Sequence, residues 1–127
     1  MNEADYKRKL VAMINAHPPD YAQRNEDRFA VGVLDLTIKF LDYPVVFAEG
    51  KKVAGWAFAP TPAQYQRGLR IIASGMEAVL IGWKDEKMFV SPWAQKADIR
   101  EAFTIPDRWR DYLAILRGYL AAKGVGP

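Results

Sequence analysis

The stretch Pro44-Val45-Val46-Phe47-Ala48-Glu49-Gly50-Lys51, PVVFAEGK, decides the fold. Its apolar start reads as a buried strand, yet it ends with a carboxylate and an ammonium two residues apart. Side chains two apart on a strand share a face, roughly 6–7 Å from each other. Glu49 and Lys51 are then either a solvated strand end or half of an active site. The preceding segment, VGVLDLTIKFL over residues 31–41, bears on the choice. There Leu34, Leu36, Ile38 and Phe40 alternate with Asp35, Thr37 and Lys39, the pattern of a half-buried strand. Leu41-Asp42-Tyr43-Pro44 turns the chain, so the two strands form an antiparallel hairpin. Asp35 lies on the polar side of the first strand and can approach Glu49 across the ladder.

Two carboxylates brought close repel, and the resolutions are a shared proton or a bound cation. Mg²⁺ suits the second, because it takes oxygen ligands and keeps several waters. Lys51 then points where a metal-associated water and a substrate phosphate would meet. Phosphodiester hydrolysis needs this arrangement: a metal polarises a phosphoryl oxygen, and a lysine orients water or offsets transition-state charge. Composition agrees by exclusion. The 127 residues contain no cysteine and one histidine. Thiolate zinc sites, Cys nucleophiles and disulfide frameworks are ruled out, and His-based metal sites and Ser-His triads are disfavoured. What remains for catalysis is carboxylate, Lys, Tyr or a hard metal ion with oxygen ligands.

Around the hairpin, residues 2–16 read as a helix with Asn2 as N-cap, Tyr6, Leu10, Met13 and Ile14 on its apolar face, and His17-Pro18-Pro19 at its end. Glu3 falls on that same face, where acids in the first turn favour the helix dipole. Residues 20–30 are polar and unpatterned, a loop. Residues 52–61 form another loop carrying Trp56 and Phe58, which would pack in the core, stack on an unpaired base or join a dimer. Residues 62–74 form a second helix with Pro62 in its first turn, a core stripe of Tyr65, Leu69, Ile72 and Met76, and Gly75 as its stop. Residues 78–83 are a buried strand and 87–90 a short edge strand. A short helix is expected over 97–103, and a helix carrying Trp109, Tyr112, Leu113, Leu116 and Leu120 over 106–123. The expected architecture is mixed α/β, a central mixed sheet of about four strands flanked by helices. At this length the chain reads as one domain.

The spacing Asp35-x13-Glu49-x-Lys51 resembles the PD-(D/E)XK nuclease superfamily. Within it the chain resembles small stand-alone VRR-NUC-type nucleases, related in fold to Holliday-junction resolvases. Glu3-x-x-Tyr6-x-x-x-Leu10 is similar to the family's acidic first helix, and Gly32-Val33-Leu34-Asp35-Leu36 to its G-V-P-D-L strand. Val46 to Lys51 is similar to its hydrophobic-E-x-K strand, and Thr61-Pro62-Ala63-Gln64 to the S-P-x-Q start of its second helix. The resemblance covers residues 1 to about 90 and implies a restriction-endonuclease-like αβββαβ core, with 91–127 as a C-terminal helical extension. Two departures stand out. Leu34 replaces proline, and Gly50 replaces an apolar residue, which would loosen the strand.

The resemblance implies a Mg²⁺- or Mn²⁺-dependent DNA endonuclease. Glu3, Asp35, Glu49 and the Gly50 carbonyl would hold the metal, Lys51 would assist the attacking water, and Gln64 would hold the scissile phosphate or that water. Arg28, Lys39, Lys52 and Arg67 are candidate DNA-phosphate contacts, although each also reads as a solvated surface cation. The net charge of +3 is compatible with a polyanion partner without requiring one. So small a chain embraces little duplex, so a homodimer acting on branched or structured DNA such as a four-way junction is expected, with the tail helix as a candidate interface. No apolar run approaches the roughly 18 residues of a membrane span, and residues 1–16 are unlike a signal peptide. The cytosol, bacterial or phage-infected, is the expected location. The alternative is a catalytically inactive nuclease fold that binds nucleic acid or a protein partner.

Overall fold

The computed structural model describes residues 2–25, 33–40, 44–85 and 87–105. The expected tail helix, Arg28 and the turn at 41–43 lie outside the described residues. The chain begins with helix α1 (Glu3–Asn15), followed by strands β1 (Tyr21–Arg24), β2 (Leu36–Lys39), β3 (Val46–Lys52) and β4 (Ala57–Phe58). Helix α2 (Pro62–Ala73) leads to β5 (Glu77–Lys84), β6 (Lys87–Pro92), β7 (Ala97–Asp98) and β8 (Phe103–Ile105). A six-stranded sheet runs in the order β1-β2-β3-β5-β6-β8, and β4 pairs with β7 in a separate ribbon. Among the described residues only β3 and β5 are parallel, the crossover between them being α2; every other pair there is antiparallel.

The hairpin forms as its alternation predicts. Leu34, Leu36, Ile38 and Phe40 are all buried, and Leu36 stands opposite Ala48. Strand β5 is buried on both faces, as a central strand with a parallel neighbour should be. Val79, Ile81 and Trp83 join Tyr6, Leu10 and Ile14 of α1 in one core. Leu80 faces the other side, where Val53, Phe58, Phe89, Ala97 and Ile99 form a second core. The Tyr6 and Trp83 rings stack with centroids 5.5 Å apart. Asn2 caps α1 in a reciprocal box with Asp5, and Thr61 caps α2 in one with Gln64.

Four sequence expectations are corrected. Tyr21–Arg24 is an edge strand, not loop: it buries only Ala22, whose N–H and carbonyl both bond the Asn15 side chain at 2.9 Å. So short a strand, tied by a side chain, needs no hydrophobic alternation. Residues 97–103 are not helical. Asp98 folds them into a turn by accepting from the Arg100 N–H, and the flanking residues pair with β4 and β6. Strand β6 is consequently not at the edge.

The fourth correction concerns α2. Its Leu69, Ile72 and Met76 stripe is about 40% exposed, and Gly68 is the buried residue of the helix. There the helix lies directly on the Trp93 indole, whose Nε1–H donates to the Tyr65 carbonyl at 3.1 Å. A Cβ at Gly68 would overlap that indole. Gly68→Ala should therefore lower stability by roughly 1–3 kcal/mol, despite the gain of about 1 kcal/mol in helix propensity. Urea unfolding midpoints read the sign directly, and a stabilised variant would contradict this packing.

Candidate active site

Asp35 precedes β2 at the point where the strand pairs with β3, and Leu36 opposite Ala48 brings Asp35 to Glu49. Glu49 is fully buried. The Asp35 N–H donates to Glu49 Oε2 at 3.3 Å, and the two carboxyl groups also bond to one another. Burial, followed by the hydrogen bond and charge of Asp35, pushes the Glu49 carboxyl up to about 8, against the pull of Lys51 and Lys7. Burial would raise Asp35 too. Bonds from Glu49 and from Lys7, with the Gly50 N–H at 3.2 Å, outweigh it and hold Asp35 below the usual range. The two carboxyls are coupled, and their shifts run in opposite directions, up for Glu49 and down for Asp35.

Lys51 Nζ stands 3.7 Å from Glu49 Oε1, with a quarter of its side chain exposed. Gln64 reaches Glu49 from the start of α2: its Nε2 donates to Glu49 Oε1 at 2.9 Å. Its own Oε1 accepts from the Thr61 N–H at 2.9 Å. The helix cap thus fixes the amide that fixes the carboxylate. Thr61-Pro62-Ala63-Gln64 performs both tasks because the third helical residue sits over the N-cap.

Lys7 is the residue that sequence reasoning missed. Its ammonium reaches Asp35 Oδ2 at 2.6 Å and Glu3 Oε2 at 3.2 Å, with 10% of the side chain exposed. Burial alone would lower its pKa; the Asp35 bond and charge, then Glu3, outweigh it and raise it. A signal existed. Lys7 stands three and seven residues before Leu10 and Ile14, on the buried stripe of α1, four residues after Glu3. Glu3 Oε1 also accepts from the Lys52 N–H at 2.9 Å, so both of its oxygens are engaged away from Glu49.

Gly50 is tightly packed. A Cβ there would come within 2.6 Å of the Trp83 ring and 3.3 Å of Lys7 Cε. The indole and the lysine stem occupy the volume that an apolar side chain would need. Lys52 is exposed beside the cluster, and Arg67 is exposed one turn after Gln64. Lys39 lies at the other end of β2 from Asp35, with Nζ donating to the Phe40 carbonyl at 2.9 Å. Phe58 is a core residue, whereas Trp56 is 55% exposed.

The donor set fits a hard divalent cation in one respect: two carboxyls, Glu49 buried and Asp35 half-buried, converge in one place and offer oxygen ligands. Asp35 and Glu49 are the residues that would hold it. As arranged, no group of three or more acidic or histidine side chains is placed to hold a metal among the described residues. Lys7 stands where Glu3 would otherwise join the pair.

The opposite shifts of the two carboxyls give a sign for pH dependence. Glu49 has a folded pKa above its unfolded value of about 4.3, so its contribution is complete in acid and is lost as pH rises toward 8. Asp35 acts oppositely, its contribution being lost only as pH falls below the ordinary Asp range. Metal-free protein should therefore lose stability between about pH 5 and 8, by at most about 1.4 kcal/mol per pH unit. Glu49→Gln should flatten that slope in thermal unfolding across the range; an unchanged slope would show that Glu49 is not the protonated partner.

No protein-family model matches the chain, and no curated protein matches its sequence. Among solved structures it is similar to Archaeoglobus fulgidus Hjc, a Holliday junction resolvase from an archaeal hyperthermophile. The TM-score is 0.61, over 81% of this chain and 91% of that one, at 12% sequence identity. At such identity the likeness speaks for the chain path alone. The mixed α/β sheet with its αβββαβ core follows the chain path of that resolvase.

Proposed function

We propose that the protein is a divalent-metal-dependent DNA endonuclease of the small VRR-NUC type, acting on branched DNA. The observation that carries this reading is the pairing of half-buried Asp35 with buried Glu49, with Lys51 and Gln64 ranged on Glu49. A Mg²⁺ or Mn²⁺ ion held by Asp35, Glu49 and the Gly50 carbonyl would supply positive charge at the scissile phosphate. Gln64 keeps the Glu49 carboxylate in one orientation. Lys51 places an ammonium to orient the attacking water and to offset charge in the transition state. Lys52 and Arg67, exposed on either side, are the favoured phosphate contacts; Arg28 and Lys39 complete the proposed set.

The likeness to a resolvase supports branched DNA as substrate. A homodimer belongs to the proposal because a junction offers two symmetry-related strands, and the exposed Leu69, Ile72 and Met76 give it an apolar face. Among the described residues no helix is long and apolar enough to cross a membrane. The test is cleavage of a synthetic four-way junction and of supercoiled plasmid in Mg²⁺, Mn²⁺ or EDTA. Metal-dependent cutting with junction preference is expected. One observation favours a second reading, a fold that binds DNA without cutting it: Lys7 already neutralises Asp35. Binding with no cutting in any metal would select it.

A further inference from the structure

The loop after β3 places Trp56 on the surface, 55% exposed. Lys84 Nζ lies 5.0 Å and Arg100 Cζ 5.1 Å from its ring centroid. With Lys87 and Asp85, and with Phe89 and Ile99 behind them, these groups line a cavity of about 300 Å³. One feature of the cavity calls for an anion. Lys84 and Lys87 stand directly opposite across the β5–β6 pair, where like charges disfavour the sheet. Arg100 is held by Asp98 through Nε at 3.0 Å and an Nη at 2.6 Å, so its planar group is fixed near the indole. One N–H of the Lys84 ammonium donates to the Gly55 carbonyl at 2.8 Å, leaving two of its three to offer.

The cavity is on the catalytic face of the sheet. Lys51 is in register with Gly82 on the parallel neighbour β5. Glu49's partner Leu80 belongs to the second core, and a Cβ on Gly82 would point at Val53 and Phe58 of that core. Lys84, two residues further, continues that face. Two residues along and one strand across put the Lys84 Cα roughly 8 Å from that of Lys51, a span that one or two nucleotides of a strand cover.

We infer that the Trp56 cavity is a second nucleic-acid subsite that takes one unpaired nucleotide next to the scissile phosphate. The base takes the place of the Lys84 ammonium over the indole, and that ammonium, with Lys87, meets the adjoining phosphate. A base inside a duplex has both faces covered and cannot stack in this way, so the subsite selects strands that open at a branch. This rests on the proposed nuclease reading and adds to it the feature by which the enzyme tells branched from continuous DNA.

Binding of a labelled six-nucleotide oligothymidylate, followed by anisotropy in EDTA, tests it without catalysis. Trp56→Ala should weaken binding roughly 5- to 100-fold, and Trp56→Phe should keep most of the affinity. Lys84→Glu should weaken binding and lower the salt dependence by about one phosphate contact. Thermal unfolding checks that each variant folds, as expected for a side chain on the surface. Equal affinity of Trp56→Ala and wild type, or no binding by wild type, overturns the subsite. Tryptophan-dependent binding without metal-dependent cutting would keep the subsite and remove the nuclease reading. Cutting by wild type with Trp56→Ala binding unimpaired would do the reverse.

Discussion

Lys51→Ala should reduce cleavage of junction DNA by about 10²- to 10⁴-fold while leaving the protein folded. The side chain is at the end of β3 and partly exposed, and its contact with Glu49 is a charge interaction at 3.7 Å, not a short hydrogen bond. Its removal therefore takes little from the core. What it takes is a positive charge beside the proposed phosphate position, where a fixed charge in a site shielded from water is worth several kcal/mol. It also takes a charge that lowers the Glu49 pKa. Residual activity should then require higher pH than wild type, because Glu49 must lose its proton to act as a ligand. Single-turnover rates at several pH values separate the two effects. If Lys51→Ala cuts like wild type at every pH, PVVFAEGK is not the catalytic strand.

Glu49→Ala would be less informative, since it opens a cavity in a buried position as well as removing a proposed ligand. Gln64→Ala is a finer probe. It leaves the Thr61 side chain capping α2 through the Gln64 N–H at 3.2 Å, yet frees one oxygen of Glu49. The N-cap contact survives and the orienting contact does not.

The site elements were legible in the sequence where physics acts through local pattern. Alternation over Leu34 to Phe40 fixes the register of β2, and register alone brings Asp35 to Glu49. Thr61-Pro62-Ala63-Gln64 announces a helix start because each residue type has one capping task. The misreadings share a different cause. The stripe of α2 looks like a core face, but the helix meets the sheet through Gly68 against Trp93, and a glycine carries no hydrophobic signal. Strands β1, β7 and β8 are four, two and three residues long. They are defined by partners far along the chain, which no local window contains. Trp56 and Phe58 are two residues apart, yet one is exposed and the other buried, because Phe58 lies in β4 and packs with Leu80 and Phe89 while Trp56 precedes that strand.

Lys7→Met should produce the largest change in the metal-free protein, and the size of that change should depend on metal. The ammonium neutralises Asp35 and Glu3 with 10% of its side chain exposed. Removing one partner of a buried pair typically costs about 3–5 kcal/mol. Because Glu3 is 39% exposed and Asp35 23%, water recovers part of this, and a loss of about 2–3 kcal/mol is the reasonable figure. Methionine nearly conserves the volume beside Gly50, so the loss reports charge more than packing. The same substitution removes the cation that would compete with a divalent ion at Asp35. Mg²⁺ should then stabilise Lys7→Met more than wild type, since a ligand bound only by the folded state raises stability according to its affinity. Thermal unfolding of both proteins over a Mg²⁺ series shows this as converging curves. Parallel curves would mean that Lys7 and the metal do not share a site, and Lys7 would then be a structural ion pair alone. Convergence with loss of cutting would instead make Lys7 a charge the reaction needs beside the metal, and with faster cutting a brake on it.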